Sequence, residues 1–226
     1  MKICVFGTWA FGFALLKLLW NNKKVDSLYA YEKDKTVVEY LAKHNKHPYF
    51  FEGVELSDRI IFVDDFRDIL SAIDIIILAI PSQFIPAFLP ELKPFMKDWV
   101  IILNLSKGIN NQTLTTTSED VEKVFKDKDH HYAILSGGMI AREVVDGKTL
   151  WAQIGVDTQE VGETLKSLFD DTTLDTEISI NNIKNIELYS ALKNVIALMM
   201  GYYEGQWNSP STLGYYMCRI YKEIHL

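Results

Sequence analysis

Short apolar runs alternate with amphipathic segments along most of the chain, and this rhythm predicts its elements. Residues 2–7 are apolar without alternation, as a strand buried on both faces requires. A helix is expected from about Phe11 to Trp20, ending at the polar "NNKK". "VDSLYAYE" (25–32) reads as a second strand, with "KDKTVVEYLAKH" behind it as a helix. "IIFVDD" (60–65) is a third strand, followed by a short helix "FRDILSAI". "DIIILAI" (74–80) is continuous, β-branched and stopped by Pro81. "WVIILNLS" (99–106) is another strand, after which a long polar stretch leads to "YAILSGG" (132–138). "TLWAQIGV" (149–156) predicts a further strand and "VGETLKSLF" (161–169) an amphipathic helix.

Strands alternating with helices predict an α/β fold with a doubly wound, mostly parallel sheet covered on both faces. Near Asn185 the pattern changes. "IELYSALKNVIALMMGYYEG" and "TLGYYMCRIYKEI" read as long helices, and no strand signal returns. Two units are therefore expected: residues 1–184, and residues 185–226 as the beginning of an all-helical C-terminal domain. An apolar stripe at Leu198, Met199 and Tyr202 on the second unit points to a partner copy and a homo-oligomer.

Composition narrows the function. The 226 residues are 48% hydrophobic, enough for a packed core. A formal net charge of −7 leaves no basic surplus for phosphate backbones, so nucleic-acid binding is disfavoured. The apolar run from Lys2 to Trp20 resembles a signal peptide or membrane anchor, but Gly7, Gly12 and Lys17 interrupt it. No membrane span is expected. The two cysteines, Cys4 and Cys218, make no metal-binding pair, which disfavours a metal site and suits a reducing cytoplasm.

Candidate chemistry lies at strand ends. "FGTWAFG" places Gly7 and Gly12 at the outer positions of a Gly-x-Gly-x-x-Gly loop, with Trp9 where the middle glycine belongs. The following helix would offer free N–H groups and its positive dipole end to a pyrophosphate. Glu32, twenty residues after Gly12, could accept a ribose hydroxyl and would repel a 2′-phosphate, favouring NAD over NADP. Taken alone, the loop does not separate a dinucleotide site from a strand–turn–helix with an incidental glycine pair and a surface Glu. "LAIPSQ" brings Pro81 and Ser82 to the next strand end, "NLSKGI" brings Lys107, and "SGGMIAREV" brings a glycine pair and a helix. Each is ordinary singly; together they line one sheet edge. In "ALKNVIALMMG", Lys193 and Asn194 interrupt an apolar helix. A lysine seated among apolar neighbours loses hydration and its pKa falls, which suits a general base. By itself the segment reads more plainly as a lysine reaching water from a helix edge.

Together "FGTWAFGFAL", "IIILAIPSQ", "LSKGI", "LSGGMIAREV" and "IELYSALKNVIAL" resemble NAD-dependent glycerol-3-phosphate dehydrogenases, over nearly the whole chain. The resemblance implies a Rossmann-type domain binding NAD and interconversion of sn-glycerol 3-phosphate with dihydroxyacetone phosphate. It implies Lys193 as general base, Lys107 as a companion contacting substrate, and Asn194 as a further substrate or cofactor contact. It implies Gly7, Thr8, Trp9, Phe11 and Gly12 as the dinucleotide loop, with Pro81, Ser82, Ala141 and Glu143 beside the cofactor. The partner it implies is a small phosphorylated substrate. Three features depart from the family: Trp9, the sequence Gly137-Gly138-Met139 in place of Gly-Pro-[Ser/Asn], and an end at Leu226 before the family's Arg-Asn phosphate grip. A non-catalytic nucleotide-binding or interaction relative, or a related dehydrogenase of another hydroxy acid or sugar derivative, are the alternatives.

Overall fold

A computed structural model describes residues 1–206 and 209–224. Its strands are β1 (Lys2–Phe6), β2 (Ser27–Tyr31), β3 (Ile60–Val63), β4 (Ile75–Leu78), β5 (Val100–Asn104), β6 (His130–Gly137), β7 (Leu150–Val156) and β8 (Leu174–Ile180). They form one sheet in the order β3-β2-β1-β4-β5-β6-β7-β8. The first six are mutually parallel; β7 is antiparallel to β6, and β8 is parallel to β7. The helices are α1 (Ala10–Leu19), α2 (Lys35–His44), α3 (Arg67–Leu70), α4 (Ile85–Leu92), α5 (Thr117–Phe125), α6 (Ala141–Val145), α7 (Gln159–Lys166), α8 (Ile183–Gly205) and α9 (Pro210–Ile224).

Successive strand residues point to opposite faces, so each central strand feeds two separate cores. Ile3, Val5, Ile75, Ile77, Ile101 and Leu103 pack with α1, α2 and α7 through Phe13, Leu16, Val37, Leu41 and Leu165. Cys4, Phe6, Ile76, Leu78, Val100 and Ile102 pack with α3, α4, α5 and α8 through Leu70, Ile85, Leu89, Val121, Phe125 and Ile186. This explains the unbroken apolar runs of β1, β4 and β5: both faces are covered, so neither tolerates a polar position. The doubly wound α/β expectation holds. The opening run is strand and buried helix. Burial pushes the Cys4 thiol pKa up, as suits an inert core residue.

Three elements escape the sequence reading. In α4, Pro86 and Pro90 look like breaks. A proline in the first turn leaves no hydrogen bond unmade, and Ile85, Leu89 and Leu92 carry the helix onto the core. The polar stretch after β5 contains α5, opened by a capping box in which the Thr116 N–H donates to Glu119 at 2.8 Å. The third is β8, an edge strand with Leu174 and Thr176 buried and Asp175 and Glu177 outward; its short polar alternation masked it, and its charges protect the sheet edge.

The strands end at Ile180 and α8 follows as one continuous helix. Its first half lies on the sheet through Ile183, Ile186, Glu187 and Ser190. Glu187 is buried, and its carboxylate accepts the Ser118 N–H (2.9 Å), the Ser118 hydroxyl (2.5 Å) and the Tyr132 hydroxyl (2.5 Å). One carboxylate thus ties α8 to the first turn of α5 and to β6. Burial, then the Glu187 charge, drives the Tyr132 pKa well above its usual value, so Tyr132 stays a donor. The second half of α8 projects outward, with Leu198, Met199 and Tyr202 exposed, and Tyr203 stacks on Tyr216 of α9 at 4.1 Å. The expected second unit, 185–226, is described to residue 224 apart from 207–208; residues 225–226 lie outside the described residues.

Replacing Glu187 with Ala strands buried donors on two elements. Glu187→Ala is expected to lower folding stability by about 3 kcal/mol, and Glu187→Gln by less, as read from urea denaturation midpoints.

Candidate functional site

The sheet order turns about β1, which lies between β2 and β4, so a crevice opens outside the carboxyl ends of β1 and β4. Gly7 leaves β1 with φ +94° and donates its N–H to Tyr31 O at 2.9 Å. A Cβ on Gly7 would lie 2.6 Å from Ala79 O, and one on Gly12 would lie 1.9 Å from Gly7 O. Only bare backbone lets α1 start this close to the strand end. Trp9 is the N-cap of α1 with no side-chain capping bond, so the first-turn N–H groups at Ala10 and Phe11 are left for an anion.

The indole of Trp9 lies on the β2 side of the loop, against the segment that follows α2. Its ring centroid is 6.2 Å from His47, 6.2 Å from Tyr49 and 5.4 Å from Phe50. Thr8 is fully buried, and its N–H and hydroxyl both donate to Glu32 Oε2, at 2.9 and 3.2 Å. Glu32 was expected to serve a ribose. In the structure it first holds the loop, while Oε1 takes only the Asp34 N–H at 3.3 Å and keeps acceptor capacity.

The next two strand ends are stitched together. Pro81 turns the chain after β4 into a 3₁₀ turn, Ser82–Phe84. The Ser106 hydroxyl donates to Ile80 O, and the buried Asn104 side chain accepts the Ser106 N–H at 2.9 Å. Gly108 lies against Ser82, since a Cβ on it would fall 2.3 Å from Ser82 Oγ. Lys107 stands between these two tight contacts. Lys193 comes across from α8, and its Nζ donates to Gly137 O at 2.9 Å, at the end of β6. Loss of hydration, then the Lys193 charge, holds the Lys107 pKa below the usual lysine value. The Lys193 charge is thus felt at Lys107.

Lys193 and Asn194 are exposed, and among the described residues no apolar seat encloses Lys193: α8 has already left the sheet at that turn. The amine that loses hydration is Lys107. Ala141 and Glu143 belong to α6, which packs on α1 around Ala14, Val144 and Val145, and Glu143 pairs with Lys148 at 3.4 Å. Among the described residues no cluster of His, Cys, Asp or Glu could hold a metal ion, and no helix is long and apolar enough to cross a membrane.

Residues 2–162 match the family model for the NAD-dependent glycerol-3-phosphate dehydrogenase N-terminus. The chain belongs to this family. It is 31% identical over 205 residues to a glycerol-3-phosphate dehydrogenase (NAD(P)+) of Nitratidesulfovibrio vulgaris, covering 91% of this chain and 61% of that protein. A Fusobacterium nucleatum relative is 30% identical over 224 residues, 99% of this chain and 66% of its own length. The chain therefore spans about three fifths to two thirds of such relatives. The same fold occurs in glycerol-3-phosphate dehydrogenase structures from Plasmodium falciparum and Coxiella burnetii. Their TM-scores are 0.90 and 0.87, at 20% and 16% identity. Each match covers 99% of this chain, and 64% and 67% of theirs.

Two features that build the site were given no role in the sequence reading. Glu187 lies in the quoted "IELYSALKNVIAL", six residues before Lys193, and a carboxylate between two apolar residues there was its available signal. The run "HPYFF" (47–51) is too aromatic for a solvent loop, a signal the element pattern passed over. Gly12→Ala is expected to weaken dinucleotide binding by tenfold or more, because Gly7 must shift; calorimetric titration with NADH checks it. Removing the neighbouring positive charge in Lys193→Met is expected to raise the Lys107 pKa. Following the NMR shift of a ¹³C-methylated Lys107 against pH reads this directly.

Proposed function

We propose that this chain binds NAD at the β1–β4 crevice and carries the proton-handling amines of a glycerol-3-phosphate dehydrogenase. The observation that supports this reading is that the Gly7 turn packs on the end of β4, the Lys107 loop packs on Ser82 after it, and Lys193 bonds Gly137 at the end of β6, its charge lowering the Lys107 pKa. The residues fit the cofactor: the close approaches at Gly7 and Gly12 leave room for no side chain at the loop, the first turn of α1 has N–H groups to give, and Trp9 is packed on the 47–50 segment. Gly7, Thr8, Trp9, Phe11 and Gly12 would hold the pyrophosphate end, and Glu32 Oε1 a ribose hydroxyl. Pro81, Ser82, Ala141 and Glu143 would flank it. Glu32 disfavours a 2′-phosphate by like charge, which supports NAD over NADP.

The bound nicotinamide supplies the hydride chemistry. Lys193, oriented by Gly137 O, takes the proton from the carbinol oxygen of sn-glycerol 3-phosphate as dihydroxyacetone phosphate forms, and returns it in reverse. Lys107 places a second donor on the same oxygen as negative charge develops there. Asn194 contacts substrate or cofactor beside Lys193. Residues 1–184 form the dinucleotide unit and 185–226 the start of a helical unit whose exposed Leu198, Met199 and Tyr202 suit a second copy. The acidic net charge and Cys4 and Cys218 suit a cytoplasmic protein acting on a small phosphorylated molecule rather than nucleic acid. Trp9 favours a second reading, a nucleotide-binding relative without turnover.

Calorimetry with NADH tests the first step: saturable binding below millimolar supports the proposal, and no heat at millimolar cofactor overturns it. Turnover of dihydroxyacetone phosphate with NADH separates enzyme from binder. Lys193→Ala is expected to lower kcat by about a hundredfold or more.

A further inference from the structure

We infer that Trp9 and Tyr49 form a stacking platform for the purine base of the bound nucleotide. The inference rests on the dinucleotide reading above and gives the residue that replaces the middle glycine a task of its own. The two rings stack on each other, with centroids 6.2 Å apart and planes at 27°. They remain open to solvent, at 48% and 64% exposure, although Trp9 caps a helix whose first-turn N–H groups face an anion site. A large exposed aromatic pair at such a place offers a flat face and little else. That suits a base, whose own π-face stacks on an aromatic ring without requiring a hydrogen-bond pattern.

Position supports the purine end of the ligand. Glu32, the ribose-side carboxylate, holds Thr8, the residue immediately before Trp9. Beyond it the 47–51 segment continues the surface, with Phe50 edge-on to Trp9 and Phe51 stacked on Phe13 of α1. The base attached to a ribose at Glu32 therefore meets the Trp9–Tyr49 surface.

A second observation comes from His47, which packs among Trp9, Phe13 and Phe50 and is 6% exposed. Its Nδ1 accepts the Tyr49 N–H at 3.1 Å, so the neutral ring carries its proton on Nε2. Nε2 is buried and, among the described residues, meets no acceptor. A buried donor in that state is unsatisfied until an oxygen or ring nitrogen arrives, and a nucleotide brings both. Burial holds the His47 pKa below the usual histidine value despite the pull of Glu32, so at neutral pH His47 offers one donor and no charge.

Calorimetric titration with ADP and with UDP tests the platform on wild type, Trp9→Gly and Tyr49→Ser, with circular dichroism melting to check folding. Tyr49→Ser leaves the glycine loop untouched, so it reports on stacking alone. The expected result is a wild-type preference for ADP over UDP and at least a tenfold loss of ADP affinity in Tyr49→Ser. Trp9→Gly should lose as much, though it restores the loop's middle glycine, and the preference should collapse in both. Tighter ADP binding by Trp9→Gly would mean that the indole obstructs the loop, and would overturn the platform while leaving the dinucleotide reading intact. Unchanged ADP affinity in Tyr49→Ser, or wild type binding NADH but not ADP, would overturn it too. Wild type binding neither NADH nor ADP would sink both.

Discussion

The carbonyl oxygen of Gly7 lies where a side chain on residue 12 would have to begin. That steric constraint sets the approach of α1 to β1, and much of the site follows from it. Because α1 starts directly above the strand end, its first-turn N–H groups open on the crevice at the change of strand direction. Because Gly7 also presses on Ala79, the turn after β1 and the end of β4 are one packed unit. The loop after β5 joins the same unit through Ser106 and Gly108. The glycine turn after β1 and the Lys107-bearing loop after β5 are thus parts of a single packed rim.

Trp9 changes how that rim is finished. In a three-glycine loop the middle position is bare so that a diphosphate can approach the backbone. Here the indole leans onto the 47–50 segment and Glu32 grips Thr8 from beneath. The loop is held from its β2 side by a carboxylate and by aromatic packing. Rigidity of this kind needs no ligand to establish it, which reduces the ordering cost of binding.

The sequence made the architecture readable wherever both faces of a strand are buried. β1, β4 and β5 announce themselves because both faces are buried and their residues, apart from Lys2 and Asn104 at the ends, are apolar. β8 was silent because it lies at the edge and alternates, and α4 because Pro86 and Pro90 read as breaks, although Pro86 falls in its first turn. Lys107 was read from a strand end and Lys193 from a helix, but neither environment was legible in the sequence. Which amine loses hydration depends on where α8 leaves the sheet, a tertiary fact with no local signature. Likewise the partners of Glu187 lie on α5 and β6, far away in sequence.

The continuity of α8 has a mechanical consequence. Its 23 residues form one rod, clamped to the sheet at the Glu187 end and packed on α9 through Tyr203 at the other. Lys193 lies about 9 Å along that rod from Glu187, at about 1.5 Å of rise per residue. A pivot of roughly 5° at the clamp swings its backbone by about 0.8 Å, close to the displacement of about 1 Å that slows a positioned reaction a hundredfold. Whatever seats against the outer half of α8 therefore has leverage over where the Lys193 amine lies.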